Sequence, residues 1–373
     1  MRIALDARTI FAANRRGTGK NLIDLYLYAA KARPSWEFVM IHRDRHEPNP
    51  FEGIANIRQK TGEIIGDRWN VWLHVRLPLL ARAINADVLH CPANVSPYLP
   101  MIPMILTVHD IIPMHCPDRR YAKWWRKNVA RGIKRARLVF TPSEFSRQQI
   151  LNEFGDFADK IVVNHWAPDT GCRFIEDAAE LTKIREKYAL PAGRRFFLSF
   201  GARDGRKNTH RIIEAWKNLP AELRNEFSLL IVGLNKPAMQ EFSVLLDDYR
   251  IRQSCILHGF APEEDISALL SAADALCYVS LYEGFGLPIL DAFTCRTPVL
   301  AGNATSLPEV AGDAAVFVDP QDTDAITHAM RRIMADASLR ESLVDRGLSR
   351  VKEFTWNRCV ENYVTAVETL VMK

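Results

Sequence analysis

The chain has 373 residues, 48% of them hydrophobic and 25% charged, with a formal net charge of +5. That length exceeds what one hydrophobic core usually fills and predicts two domains, and the composition excludes a disordered, collagenous or disulfide-framed protein. No run of about 18 apolar residues appears, the N-terminus enters a strand pattern directly, and the seven cysteines are scattered singly. These features predict a cytoplasmic protein with reduced thiols, no membrane span and no zinc site.

The modest net charge hides an uneven distribution. Between Arg119 and Arg137 lie nine Lys or Arg and no acid, interleaved with Tyr121, Trp124 and Trp125.

Residues 2–7 alternate as a first strand, and 11–20 read as a basic loop containing Gly17, Thr18 and Gly19 before a helix over 21–31. Leu22 stands at the third glycine position of a dinucleotide fingerprint, and Lys20 is followed by Asn21, so neither that fingerprint nor a phosphate-binding P-loop is present. The loop either faces a ligand or is a plain turn. Further strands are expected at 37–41, 87–90 and 104–109, the last ending in His109 and Asp110. Ligands of open α/β sheets gather at the carboxyl ends of strands, so His109 is a candidate for chemistry, with a structural histidine as the alternative.

Trp69 to Leu73 leads into an amphipathic helix and is a candidate lip for a partner or acceptor. The basic stretch 119–137 reads as a helix. Either it is a solvated surface helix, or Trp124, Trp125, Arg126 and Lys127 rest on an acceptor or an anionic membrane. Nucleic acid is not an expected partner, because the whole chain is not strongly basic. Strands at 138–142 and 161–164 follow, with Ser143 a plausible helix cap between them. The pattern breaks over residues 165–190, where a domain boundary is expected.

The second half restarts with a strand at 196–201 and a loop dense in cations, Arg203 to Asn208. More short strands alternate with helices at 229–233, 256–259, 275–279, 298–301 and 315–318. A repeating βα order implies a parallel sheet covered on both faces. The most informative stretch is 280–293. An apolar strand stops at Glu283, Gly284, Phe285 and Gly286, and Pro288 opens a helix. Gly284 and Gly286 let a ligand approach the backbone, and the first-turn amides of the helix suit a phosphate. Glu283 and Asp291 flank that anion site, an arrangement that fits a phosphorylated sugar. With Arg203 and Lys207 on the neighbouring loop, a diphosphate there needs no metal.

Taken together, the run Tyr282 to Pro288, then Thr297-Pro298-Val299, Ser306 to Ala315 and Asp319-Pro320 resembles the C-terminal half of family four glycosyltransferases. The N-terminal glycine loop, Val108-His109-Asp110 and Thr141 to Ser146 match in the same order, so the resemblance covers nearly the whole chain. It implies the GT-B fold: two Rossmann-like α/β domains facing each other across a cleft, with a C-terminal helix crossing back to the first. The implied division is 1–170 for the acceptor, 171–355 for the nucleotide sugar and 356–373 for the returning helix.

The resemblance implies a retaining, metal-independent transferase. Glu283 would contact hydroxyls of the donor sugar, Gly284, Phe285, Gly286 and Leu287 would approach sugar and phosphate, and Arg203 and Lys207 would hold the diphosphate. His109 would lie over the transferred sugar, and Gly17, Thr18 and Gly19 would close over the phosphates. In the family a second Glu stands eight residues after the first and usually reaches the ribose; here Asp291 holds that place. The Ser306 to Ala315 motif is similar to that of bacterial mannosyltransferases of polysaccharide assembly. That similarity implies GDP-mannose as donor, with UDP or dTDP sugars as the alternative. The implied partner is a lipid-linked glycan, and the implied location is the cytoplasm or the inner face of the membrane. A phosphorylase or epimerase of the same fold, or a non-catalytic sugar-nucleotide-binding protein, are the other readings.

Overall fold

The computed structural model describes residues 1–12, 17–43, 49–62, 71–115 and 119–372, with the backbone alone at 115. They form two compact units. Unit 1 comprises Met1–Ala167 and Phe354–Lys373, and unit 2 Pro168–Glu353.

In unit 1, β1 (Arg2–Asp6), β2 (Glu37–His42), β3 (Ile57–Thr61), β4 (Val88–Cys91), β5 (Met104–Thr107), β6 (Leu138–Thr141) and β7 (Ile161–Val163) form a sheet. Its order is β3-β2-β1-β4-β5-β6-β7, and every pair is parallel. The inner strands β4, β5 and β6 are buried at every residue, as a sheet covered on both faces demands. The exception is β3, which sequence reasoning missed. It is an edge strand whose Arg58, Gln59 and Lys60 are exposed, so it has no apolar run to betray it.

The helices of this part are α1 (Gly17–Ala32), α2 (Leu77–Ala83) with a π turn before it at Trp72–Arg76, α3 (Arg119–Arg135) and α4 (Glu144–Phe154). The expected cap is present: Ser143 Oγ accepts the amide of Ser146 at 3.0 Å.

Three expectations change here. Gly17, Thr18 and Gly19 are the first turn of α1 and not part of a loop; residues 13–16 lie outside the described residues. The amides of a helix's first turn have no partner within the helix, so this end still suits an anion.

The expected lip also differs. Trp69 and Asn70 fall outside the described residues, and Trp72 is fully buried, its indole donating to Gly62 O at 3.0 Å beneath the Arg8 guanidinium. Leu73 is buried too, and the exposed apolar residues of that element are Val71, Val75 and Leu79.

On α3, finally, Trp125 is 3% exposed and Trp124 39%. One residue turns a helix by about 100°, so adjacent tryptophans cannot share a face. Trp125 joins Val129 and Ile133 on the buried side, and Trp124 stacks on Tyr121 at the surface with Arg126 and Lys127. Trp125 is therefore core and not part of any docking face.

Unit 2 holds β8 (Arg195–Phe200), β9 (Phe227–Val232), β10 (Cys255–Leu257), β11 (Ala275–Tyr278), β12 (Val299–Gly302) and β13 (Ala315–Val318). The order is β10-β9-β8-β11-β12-β13, again all parallel. Its helices are α5 (Ala178–Lys187), α6 (Thr209–Lys217), α7 (Ala221–Glu226), α8 (Lys236–Asp248), α9 (Glu263–Ala272), α10 (Leu287–Thr294), α11 (Leu307–Ala311), α12 (Thr323–Ala335) and α13 (Ala337–Val351). Phe197, Trp216, Phe227, Phe242 and Ile326 lead its core.

The last helix, α14 (Trp356–Met372), belongs to unit 1 and packs on α1. Tyr363 on it is buried, with its hydroxyl 3.3 Å from that of Tyr26 and 3.4 Å from His90 Nδ1. Among the described residues no helix is long and apolar enough to cross a membrane.

Candidate active site

In unit 2 the strand order reverses between β8 and β11, and the crevice outside the carboxyl ends of two such strands is where open α/β sheets bind ligands. The loops leaving these two strands meet there. After β8, Gly201 has no room for a side chain, since a Cβ would stand 2.5 Å from Ile231 Cγ2. A short 3₁₀ turn, Gly205–Lys207, then ends at Asn208 in the left-handed region with φ 59°. The buried Asn208 amide donates to Val279 O at 3.0 Å and Pro320 O at 2.6 Å, which pins this loop to the one leaving β11.

The pinned turn aims two cations at one carboxylate. Glu283 Oε1 accepts from Lys207 Nζ at 2.7 Å and pairs with Arg206 at 2.9 Å. Lys207 also donates to the Tyr278 hydroxyl at 2.9 Å and lies over that ring, 4.6 Å from its centroid. Glu283 is 8% exposed. Burial pushes its pKa up, but Lys207 and Arg206 together outweigh burial and hold it below the ordinary value, so it is ionised at neutral pH. Burial lowers the pKa of Lys207, with Glu283 opposing.

The backbone around Glu283 is equally constrained. Its amide donates to Thr305 Oγ1 at 3.2 Å. The fully buried Ser306 hydroxyl lies 3.0 Å from Glu283 O and 2.6 Å from Phe285 O, bracketing Gly284. Gly286 sits at φ +125°, which side chains rarely adopt, and a Cβ there would meet Leu307 Cδ2 at 3.0 Å. Leu287 and Pro288 then begin α10. An ionised carboxylate, two cations and a helix N-terminus thus share one rim, which equips it for hydroxyls and for a diphosphate.

The remaining expected residues fall as follows. Arg203 does not join the cluster: its guanidinium is mostly exposed and pairs with Glu241 at 3.0 Å. Arg206 stands where Arg203 was expected. The turn at 205–207 decides this, because it points residues 206 and 207 inward and leaves 203 outside. Asp291 is on α10 as expected, and its Oδ1 accepts the amide of Asp169 at 3.1 Å.

In unit 1, His109 follows β5 at the carboxyl edge. Its Nε2 donates to Pro92 O at 2.6 Å, and its amide donates to Asn94 Oδ1 at 2.7 Å. Burial pushes its pKa down to about 4, so the ring is neutral at pH 7 with its proton on Nε2. Gly17, Thr18 and Gly19, with Trp124, Arg126 and Lys127, also belong to this unit. Among the described residues no three His, Cys, Asp or Glu side chains group as metal ligands.

Sequence reasoning missed Arg206, Tyr278 and Ser306. Arg206 was visible as one cation among several in its loop. Ser306 opened the motif over 306–315 without a role of its own, and Tyr278 carried no signal, because a tyrosine ending an apolar strand has an ordinary structural explanation.

Two doubly wound parallel sheets, the second carrying this cluster at its switch point, define the GT-B class of glycosyltransferases. Solved structures agree on the fold. HepE of Anabaena in complex with UDP and glucose aligns with a TM-score of 0.77 at 16% identity, covering 99% of this chain and 100% of that one. Sucrose-phosphate synthase from Thermosynechococcus elongatus aligns with a TM-score of 0.77 at 20% identity over 99% of both chains.

The sequence narrows the class further. Residues 26–170 match the profile described as Glycosyltransferase Family 4, and 181–350 that of Glycosyl transferases group 1. The chain is similar to O-antigen chain mannosyltransferase B of Escherichia coli, 35% identical over 71% of this chain and 70% of that one. It is 30% identical to the serotype-specific mannosyltransferase WbdA of Escherichia coli over 68% of this chain, spanning about a third (32%) of that protein. The MMP alpha-(1->4)-mannosyltransferase of Mycolicibacterium hassiacum is 26% identical over 88% of this chain and 84% of its own length. The chain belongs to glycosyltransferase family 4, and it is a glycosyltransferase.

Proposed function

We propose that the chain transfers mannose from GDP-mannose, with retention of configuration, to a growing lipid-linked glycan of a bacterial surface polysaccharide. The observation that carries the donor side is the cluster of Lys207, Arg206 and Glu283 at the switch point of unit 2. Mannose and the glycan acceptor are supported by the relatives, an O-antigen mannosyltransferase among them.

In this reading the donor's diphosphate draws Lys207 and Arg206 off Glu283, whose carboxylate then accepts the sugar's hydroxyls. The bond from the anomeric carbon to the diphosphate oxygen breaks, and the acceptor hydroxyl bonds that carbon on the same face. The acceptor's proton passes to the departing diphosphate. The protein's contribution is positioning together with charge stabilisation of the leaving group by two desolvated cations and the α10 amides, so neither a nucleophile nor a metal is required. In unit 1, His109 is neutral with its Nε2 proton held by Pro92 O, so its Nδ1 is an acceptor that suits a sugar hydroxyl.

Peripheral contact with an anionic membrane belongs to the same proposal. On α3, Trp124 and Arg131 are seven residues apart and share a face, and the Arg131 guanidinium lies 5.1 Å from the Tyr98 ring. Tyr98 stacks on His74 at 3.6 Å, beside the exposed Val71 and Val75. Cations beside exposed aromatic and aliphatic side chains suit the headgroup region of an anionic bilayer.

Product formation with GDP-mannose, UDP-glucose and a dTDP-sugar, each with and without a chelator, tests the donor. Transfer from GDP-mannose alone, unaffected by chelator and giving an α-linked product, is expected. Preference for another donor removes mannose, and loss of turnover on chelation removes the metal-free mechanism.

A further inference from the structure

The Lys207 ammonium has three hydrogens to place. Glu283 Oε1 accepts at 2.7 Å and the Tyr278 hydroxyl at 2.9 Å, and the nitrogen lies 4.6 Å from the centroid of the Tyr278 ring. The Lys207 side chain is 15% exposed, so water does little for its charge, and burial lowers its pKa. The charged and titratable groups facing it among the described residues are Glu283, Arg206, Asp204 and Tyr278.

The two cations of the cluster are held alike. Each shares Glu283, and each has one uncharged partner besides: the Tyr282 carbonyl at 3.2 Å for Arg206, the Tyr278 hydroxyl for Lys207. These uncharged partners differ in their footing. The carbonyl belongs to the loop that carries Glu283, whereas Tyr278 is the last residue of β11, which lies between β8 and β12 and is buried at every residue. Tyr278 is 3% exposed and pairs in register with Ala301 of β12, so its phenol is a fixed point beneath both loops. Burial pushes its pKa well up and the Glu283 charge adds to that, so the hydroxyl is neutral and able to accept.

We infer that Tyr278 is the positioning residue of Lys207, its hydroxyl keeping the ammonium aimed at the rim both with and without donor. This rests on the reading of a nucleotide-sugar donor. In that reading Glu283 turns to the sugar's hydroxyls and so stops orienting Lys207. Tyr278 is anchored in the sheet and stays. A lysine ammonium is a point charge on a flexible four-carbon stem, and it stabilises a leaving diphosphate best when something else fixes its place. A phenylalanine at 278 would keep the ring and lose the acceptor.

The test has two arms. The first needs no donor: Lys207 is labelled with acetic anhydride over a pH series, read by mass spectrometry, in the unsubstituted protein and in Tyr278→Phe. Losing an acceptor disfavours the ammonium, so the labelling midpoint is expected at lower pH in Tyr278→Phe. An unmoved midpoint overturns the inference. The second arm is kinetic, with whichever of GDP-mannose, UDP-glucose and a dTDP-sugar the protein turns over. Tyr278→Phe is expected to lower kcat about tenfold while KM changes less than about threefold, since the charge on the leaving group grows toward the transition state. Added to Lys207→Met, the same substitution is expected to change kcat less than about twofold, because nothing is left to position. A kcat of Tyr278→Phe within about twofold of the unsubstituted protein, or a tenfold loss that persists beside Lys207→Met, overturns the inference. If no sugar nucleotide is turned over, the donor reading falls, while the labelling arm still decides whether Tyr278 holds Lys207.

Discussion

The carboxyl edges of the two sheets are built from the same βα alternation but assemble their charges differently. In unit 2 the edge is charged and tightly held: Lys207, Arg206 and Glu283 meet on one oxygen, Asn208 ties the two loops together, and Ser306 grips the backbone around Gly284. In unit 1 the edge carries one buried pair from a single stretch of chain, Arg8 on Asp6 at 2.5 and 2.8 Å, beside two neutral histidines: His109 held by carbonyl and amide partners and His90 held by Thr107 and Tyr26. The contrast teaches why the loops of unit 2 are tied together: charges supplied by two separate loops keep their places only if the loops do, whereas Asp6 and Arg8 come from one short stretch. A doubly negative diphosphate needs charges fixed in advance, because reorganising them during the reaction would raise the barrier.

The sharpest way to break this comparison is at Glu283. Glu283→Gln keeps the shape and removes the charge, and it is expected to lower kcat/KM by about 10²–10³, on the scale of losing one preorganised electrostatic contact. A loss below tenfold would remove Glu283 from the transferring site. Glu283→Ala is the poorer variant, since besides the charge it removes the oxygen that accepts from Lys207 and Arg206 and leaves a cavity, whereas the Gln amide oxygen can still accept.

A comparable effect, on stability, is expected on α3 in unit 1. Trp125→Ala removes a buried side chain and should cost about 3–5 kcal/mol in denaturant unfolding. Trp124→Ala next to it should cost about 0.5 kcal/mol or less while weakening sedimentation with anionic vesicles. Equal vesicle binding by Trp124→Ala and the unsubstituted protein would dismiss this face of α3 as a membrane contact.

The histidines sharpen the contrast through pH. Burial lowers His90 to about 3 and His109 to about 4, against an unfolded value of 6.5. Below pH 6.5 the unfolded chain binds more protons at these sites than the folded one, so stability falls from pH 6.5 toward 4 and 3. Glu283 is depressed below its unfolded value, and its contribution, present above that value, is lost only as pH falls through the lower folded one. Unfolding followed at unit 1 tryptophans such as Trp72 and Trp125 should therefore weaken at milder acidity than unfolding followed at Trp216 in unit 2. His109→Gln should flatten that early loss, and an unaltered pH profile would show that His109 does not contribute to it.

The smallest effects separate the two arginines of the loop after β8. Arg206→Ala should lower turnover by about tenfold or more, whereas Arg203→Ala breaks an exposed pair with Glu241, of a kind worth about 0.2–1 kcal/mol, and should change turnover less than threefold. The reverse ranking would restore Arg203 to the diphosphate.

Much of the architecture was legible in the residues themselves. Apolar runs such as 227–232 and 275–278 have to be buried, and their alternation with helices leaves few options besides parallel sheets. The glycine loop before α10 was legible for the same reason: Gly286 at φ +125° is a local demand of the backbone that only one residue type meets easily. Local sequence determines local structure when the physical requirement is itself local. The tertiary structure decided what depends on direction. It put Arg206 and not Arg203 on Glu283, turned Trp125 inward and Trp124 outward, and brought the Asp169 amide to Asp291, 122 residues away. A hydrogen bond or ion pair is settled by ångströms and angles, and those are fixed only when loops from distant parts of the chain pack against one another.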